Sequence, residues 1–284
     1  MKITIIGSTG QLGTDLVKTF AHDHKVICLT HDDIEVADYE SCLILKENKP
    51  DVIVNTAAFH KTDQCENEAQ KTFCVNSLGA KNVAMISKQI EATNVYISTD
   101  YVFDGSKKEP YTEDDCPCPI NTYGISKLAA EHFTRLTPKH YILRIASVFG
   151  VAGASGKGGN FIETMINKAK NNEAISVVDD MWMSPTYTKD AASLLKEIIE
   201  SALPFGVYHA TNKSYCSWYE FAKEIFQITR LNPDLKPVKT DPNYGPATRP
   251  RFSALKSIKL PKHGMEPRTW QEALREYLTE KGHV

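Results

Sequence analysis

Short apolar runs recur along the first half of the chain, each closed by turn residues and followed by a stretch of helical period. Lys2-Ile-Thr-Ile-Ile6, Lys25-Val-Ile-Cys-Leu29, Asp51-Val-Ile-Val-Asn55, Asn94-Val-Tyr-Ile-Ser98 and Tyr141-Ile-Leu-Arg-Ile-Ala146 read as buried strands, because near-continuous branched apolar residues are what a sheet covered on both faces requires. Between them, Thr14–Phe20, Gln70–Ala92 and the segment entered at Tyr123 read as helices. Strand and helix alternating in this way predict a doubly wound parallel sheet. The alternation weakens after residue 150. A Gly-rich loop at 150–159 precedes a helix at Phe161–Asn171, a strand at Ile175–Val178 and a helix at Thr188–Ser201. A short strand at 207–210, a helix at 217–229, a Pro-rich tract at 233–250 and a helix near 269–280 complete the chain. The expectation is an α/β protein in which residues 1–150 form one domain and 175–205 return to it. Residues 151–174 and 206–284 are expected to build a smaller C-terminal substrate-binding lobe, with Gly153–Gly159 and Met183–Tyr187 touching the substrate.

The glycine turn after the first strand adds chemistry to that outline. Gly7-Ser-Thr-Gly10-Gln11-Leu12-Gly13 lies between a strand and a helix. Glycines there let a pyrophosphate approach the backbone, and the helix start offers free N–H groups and partial positive charge. This predicts a Rossmann-like, dinucleotide-binding unit, with Gly7-x-x-Gly10-x-x-Gly13 spacing rather than Gly-x-Gly-x-x-Gly. The end of the second strand faces the adenine ribose, where an acid marks NADH and an Arg marks NADPH. Thr30-His31 stands there instead, so both cofactors stay open. Ala57-Ala58 after the third strand permit close cofactor approach.

Tyr123 and Lys127 are four residues apart in a helical segment and lie one turn apart on one face. A neighbouring ammonium stabilises a phenolate, so the expectation is a phenol with its pKa brought down toward the working range, able to protonate a ketone oxygen. Thr99-Asp100, at the carboxyl end of the fourth strand, falls where ligands gather in such sheets.

Composition narrows the function classes. The 284 residues are 42% hydrophobic and 24% charged, with a net charge of -2, which gives no footprint for nucleic acid or an anionic membrane. No apolar run approaches the ~20 residues a membrane span needs, and Met1-Lys2 runs into an apolar segment that stops at Gly7, unlike a signal peptide. The seven cysteines, 28, 42, 65, 74, 116, 118 and 216, are scattered without paired metal-ligand spacing. They nominate no metal ligands, with a metal at an interface left open, and predict a reducing, cytoplasmic setting.

With Gly7-x-x-Gly10-x-x-Gly13, Ser98-Thr99-Asp100 and Tyr123-x-x-x-Lys127 in that order, the chain resembles the extended short-chain dehydrogenase/reductase superfamily. Ser-Thr-Asp-Tyr-Val-Phe-Asp-Gly at 98–105, Asn-x-Tyr-Gly-x-Ser-Lys-Leu-Ala at 121–129, Gly-Asn-Phe at 159–161 and Arg249-Pro250 look like the dTDP-4-dehydrorhamnose reductase family. The similarity covers nearly the whole chain. It implies reduction of the C4 ketone of dTDP-4-dehydro-β-L-rhamnose by NADPH or NADH, in dTDP-rhamnose synthesis. Carried over by position, Tyr123 is the proton donor, and Lys127 tunes it and binds the nicotinamide ribose. Thr99 bonds the reacting oxygen, and Asp100 contacts the sugar nucleotide. Gly10, Gln11, Leu12, Asp38, Ala58, Phe59 and His60 meet the dinucleotide.

Ser147, after the fifth strand, stands where some members carry a Trp in the sugar pocket, which leaves the sugar open but not the redox chemistry. His31 favours NADPH weakly. The rival readings are a non-catalytic subunit like the regulatory subunit of methionine adenosyltransferase, and a related epimerase or dehydratase. The presence of Thr99, Tyr123 and Lys127 argues for an enzyme, and Tyr101 after Asp100 departs from the Asp-Glu pair of a dehydratase. The oligomeric state, a homo-oligomer included, is left open.

Overall fold

A computed structural model describes residues 1–154, 159–241 and 245–284; residues 155–158 of the expected Gly-rich loop lie outside them. Six strands, β1 (Lys2–Ile6), β2 (Lys25–Leu29), β3 (Val52–Asn55), β4 (Thr93–Thr99), β5 (His140–Ile145) and β6 (Gly206–His209), form one parallel sheet in the order β6-β5-β4-β3-β1-β2. The chain leaves β1 toward β2 and then crosses back to β3. This reversal opens a crevice at the carboxyl ends of β1 and β3, the place where open α/β sheets bind ligands.

The strand sequences fix what each face holds. Side chains alternate along a strand, so Ile3 and Ile5 of β1 join Val52, Val54, Val95 and Ile97 on one face, while Ile6 and Ile53 point to the other. Helix α1 (Gln11–Ala21) covers the first face with Leu12, Leu16 and Phe20, alongside a later helix carrying Leu195 and Ile198. Val83 and Ile86 of α2 (Gly79–Gln89) cover the second. Each such fully buried aliphatic side chain contributes about 1.5–3 kcal/mol. Helix α3 (Thr122–Thr134) lies over β4 and α2.

The second lobe is built on α4 (Phe161–Lys170), α6 (Trp218–Thr229) and α7 (Trp270–Glu280), while α5 (Thr188–Glu200) packs on α1. Ile162, Ile166, Phe221, Ile225, Leu274 and Tyr277 form the lobe's core. The starts of α6 and α7 are set by reciprocal capping boxes, Ser217 with Glu220 and Thr269 with Glu272.

Three sequence expectations change. Ile175–Val178 does not return to the main sheet but pairs with Leu235–Val238 in a two-stranded sheet, and Gly206–His209, expected in the lobe, is the edge strand β6. The reason is pattern: Ile175 and Val177 are buried and Ser176 exposed, which suits a ribbon covered on one side, whereas adjacent Tyr208 and His209 are both buried. The helix expected over Gln70–Ala92 is interrupted by a π segment at Cys74–Leu78, between Ala69–Phe73 and Gly79–Gln89. Met183–Tyr187 is buried throughout, with Met183 paired to Cys216 and Tyr187 to Phe149.

Candidate active site

Every strand that approaches the crevice ends in a residue singled out by the sequence. Gly7–Gly13 follow β1, Thr30-His31 follow β2, Ala57–His60 follow β3, Thr99-Asp100 close β4, and Ser147 follows β5. Tyr123 and Lys127 face them from α3.

Helix α1 begins at Gly10 without a side-chain cap, so its first N–H groups remain available to an anion. The turn is closed to larger residues: a Cβ on Gly13 would stand 2.1 Å from the Gly7 carbonyl oxygen. Gln11 donates Nε2 to the Val148 carbonyl at 3.1 Å, and its Oε1 is buried without a partner in the protein. An uncapped helix start, a glycine cradle and an orphaned buried oxygen fit a dinucleotide whose pyrophosphate lies on α1.

At the end of β2, the Asp33 carboxylate folds back to accept from the Thr30 backbone N–H at 2.8 Å and its hydroxyl at 2.7 Å. These bonds hold Asp33 below the usual carboxylate range. The His31 side chain is left 83% exposed, 3.8 Å from Glu35. Asp38 is exposed, and its carboxylate accepts from the Glu40 N–H at 3.1 Å. It serves its own turn and joins none of the crevice residues by any bond found here.

The loop after β3 is held from the π segment. Asn76 accepts the Phe59 N–H at 2.8 Å and donates to the Phe59 carbonyl at 3.0 Å and to Ser126 Oγ at 2.9 Å. One buried amide, on the π segment, therefore ties the loop after β3 to α3. The pairing of Asn76 with Phe59 and Ser126 was invisible in the sequence, although Asn76 itself stands out as a polar residue in a helix.

Helix α3 starts where it does because Asn121 caps it, accepting from Gly124 N–H at 2.8 Å while donating to the Thr248 carbonyl at 2.8 Å. Glu66 secures the same turn through the Thr122 N–H at 2.7 Å and hydroxyl at 2.6 Å. Gly124 is a close-approach residue, since a Cβ there would lie 2.1 Å from the Tyr101 carbonyl. This brings Tyr123 against the end of β4, with the Tyr101 ring edge-on at 6.0 Å.

Thr99 donates to Asp100 Oδ1 at 3.1 Å and accepts from the Tyr101 N–H at 3.2 Å, and its hydroxyl acts on the Tyr123 phenol. Asp100 is 3% exposed, and burial pushes its carboxyl up to about 6, against hydrogen bonds from Ser253 and Thr99. The Tyr123 phenol is pushed above its ordinary value, contrary to the lowering expected from its spacing to Lys127. Burial is the main cause and the Asp100 charge adds to it, with the Thr99 bond opposing. The placement of Lys127 gives the phenol little opposing help. Its ammonium is 3% exposed, donates to the Ile97 carbonyl at 2.6 Å and lies 4.2 Å from the Tyr96 ring centre, and burial brings it down to about 7. A half-neutralised ammonium directed at the strand stabilises a phenolate weakly.

Ser147 has a left-handed backbone, φ 42°, and its carbonyl accepts from Thr186 N–H at 3.3 Å. Arg249, adjacent to the Thr248 carbonyl that holds Asn121, donates to Asp63 at 2.6 Å. Among the described residues, no group of three or more His, Cys, Asp or Glu is placed to hold a metal ion.

Comparison with known proteins identifies the family. The family model described as RmlD substrate binding domain matches residues 1–282. The spore coat polysaccharide biosynthesis protein SpsK of Bacillus subtilis (strain 168) is 40% identical over 284 residues, covering 99% of this chain and 98% of that protein. Among solved structures, a dTDP-4-dehydrorhamnose reductase of Clostridium acetobutylicum superposes with a TM-score of 0.93 at 37% identity, covering 99% of this chain and 100% of the other. The Bacillus anthracis dTDP-4-dehydrorhamnose reductase in complex with NADP gives 0.92 at 35% identity, covering 98% and 99%. The chain belongs to the dTDP-4-dehydrorhamnose reductase family of oxidoreductases.

Proposed function

We propose that this chain reduces the C4 ketone of dTDP-4-dehydro-β-L-rhamnose to give dTDP-L-rhamnose, with Tyr123 as the proton donor. The observation that carries the reading is the convergence of Thr99, Asp100, Tyr123 and Lys127 at the carboxyl end of β4, beside an uncapped helix start suited to a dinucleotide. A bound reduced nicotinamide supplies the hydride. As negative charge develops on the ketone oxygen, the Thr99 hydroxyl donates a hydrogen bond to it and Tyr123 delivers its proton. The raised pKa of the phenol keeps that proton in place until the oxygen becomes basic. Lys127, in its charged form, then stabilises the phenolate and meets the nicotinamide ribose. Gly7, Gly10, Gln11, Leu12 and Gly13 hold the pyrophosphate, and Ala57–His60 line the nicotinamide side. Asp100 and Ser147 border the sugar, under the lobe of α4, α6 and α7.

The test is purified protein with reduced nicotinamide and dTDP-4-dehydrorhamnose, followed by loss of nicotinamide absorbance, with UDP- and GDP-linked keto sugars as controls. Turnover of the dTDP sugar alone is expected; no oxidation of the nicotinamide with any of them would end the reading. Because His31 is exposed and Asp33 is engaged by Thr30, the ribose 2′ position meets neither a free acid nor an Arg on β2. Selectivity for NADPH over NADH is therefore expected to be modest, about tenfold or about 1.4 kcal/mol. Kinetics with both cofactors check it, and a ratio of thousands would assign the 2′ position to another residue.

A further inference from the structure

One buried ion pair outside the proton-donating group touches all three elements that carry it. Glu131 of α3 is 0% exposed and accepts Arg144 in a two-pronged arrangement, Nε to Oε1 at 2.8 Å and Nη2 to Oε2 at 2.7 Å. Ser98 donates to Glu131 Oε1 at 2.6 Å. Ser98 is the residue before Thr99 on β4. Arg144, on β5, stands opposite it in the sheet, three residues before Ser147. Glu131 lies one helical turn beyond Lys127 and two beyond Tyr123. We propose that Glu131, held by Arg144 and Ser98, is a positioning residue for the reduction: it locks α3 against β4 and β5 at the register that presents Tyr123 to Thr99, with its carboxylate one helical turn from Lys127. The proposal rests on the reductase reading above.

Stability alone does not account for the pair. Replacing a buried ion pair with apolar residues of similar volume is often neutral or stabilising, because desolvation offsets the attraction. Here Arg144 even leaves Nη1 buried without a partner in the protein. What the pair supplies is direction: a carboxylate with bonds to two strands and a fixed guanidinium fork. It also supplies charge. Lys127 faces the Tyr96 ring and Ile97 carbonyl of β4, with Tyr123 and Glu131 on its own helix and Arg144 and Arg135 beyond Glu131. Among them Glu131 is the group whose field favours the ammonium against its burial.

Two readouts test the proposal. The first needs no turnover: 15N-lysine NMR follows the titration of Lys127 Nζ in the dinucleotide-free protein, assigned by Lys127→Arg. In Glu131→Gln the midpoint is expected to fall by about one pH unit or more. The second is the pH profile of kcat, whose alkaline limb is expected to move down with it while kcat falls about tenfold or more and KM changes little. An unmoved midpoint and limb would overturn the proposal, as would a loss of melting temperature with parental kcat. If Glu131→Gln does not fold, the double change Glu131→Leu with Arg144→Met decides, since it removes both charges without stranding one. A folded double variant with parental kcat and limb refutes the proposal, and Ser98→Ala at parental kcat refutes the alignment role. Should the parental chain reduce no ketone, the reductase reading fails, while the Nζ midpoint still judges the Glu131 effect.

Discussion

Tyr123→Phe removes one oxygen and leaves the ring against Tyr101, so it isolates the acid from the packing. A positioned acid contributes roughly 10²–10⁴-fold, and kcat is expected to fall by about that factor with dinucleotide affinity unchanged. Stopped-flow hydride transfer at the parental rate would remove Tyr123 as donor. Asp100 gives a different signature, written in stability. Its carboxyl binds a proton more tightly folded, at about 6, than at the ordinary 3.8. Its contribution is fully present below 3.8 and is lost as pH rises through 6, where the buried carboxylate costs about 3 kcal/mol. Asp100→Asn is therefore expected to raise the melting temperature at about pH 8 and to change it little near pH 4, while turnover falls. Equal shifts at both pH values would show that Asp100 is ionised without penalty. At this scale the sequence was legible wherever the signal was local. Tyr123 to Lys127 is one helical turn, whereas Glu131 finds Ser98 across 33 positions and Asn76 finds Phe59 and Ser126 across 17 and 50. Arg144 inside the run Ile-Leu-Arg-Ile was the one hint, since a charge in a buried strand demands a partner.

Elements carry the next set of consequences, because the site depends on how closely helices approach strand ends. The Gly13 Cα faces the Gly7 carbonyl, and a methyl there would meet its oxygen at 2.1 Å and its carbon at 2.9 Å. The obstacle is backbone, which has no rotamer to move. Gly13→Ala is expected to displace α1 from the turn and to weaken dinucleotide binding by about a hundredfold, about 2.7 kcal/mol, well beyond the usual Gly-to-Ala preference of a helix. Fluorescence titration with NADPH checks this, and parental affinity would mean that the pyrophosphate does not rest on α1. Periodicity located the strands of the main sheet and the long helices within a few residues, because buried runs and amphipathic stripes are local properties, but it passed over the short helices Ile44–Asn48 and Thr62–Asn67 and the strand Leu235–Val238 inside the Pro-rich tract. It could not show that the helix after β3 carries a π segment, since one extra residue leaves the hydrophobic stripe almost unchanged. Nor could it assign β6. The partner of a four-residue strand is set by which sheet edge is open, and that is a property of the assembled layers.

At the scale of the whole molecule the proposed reduction needs the two cores in a fixed relation, and a polar cluster ties α5 to α7. Arg268 donates Nε and Nη2 to Asp190 at 2.9 and 2.8 Å and also reaches Glu276. Asp190 lies in the first turn of α5, which packs on α1 of the sheet domain, and Glu276 lies on α7 of the lobe. Asn212 completes the junction, donating to Asp190 at 2.6 Å and accepting the Tyr187 N–H at 2.8 Å. The paired carboxylates hold the Arg268 guanidinium above its ordinary pKa, despite its partial burial. Surface pairs contribute little, but a two-pronged arginine in a network with part-buried partners is worth more, of the order of 1–3 kcal/mol here. Arg268→Ala leaves Asp190 to Asn212 and loosens α7 from α5, which then stay joined through Lys189 to Glu276 and Glu280. The expected result is a lower melting temperature and a KM for the dTDP sugar raised about tenfold or more, with the dinucleotide dissociation constant unchanged because α1 and its glycine turn are untouched. Arg268→Lys keeps the charge but not the fork, and should fall between the two, with the larger dependence on added salt. Calorimetry with each ligand separates these effects. Equal loss of dinucleotide and sugar binding in Arg268→Ala would mean that the junction supports the sheet domain itself rather than the placement of the lobe over it.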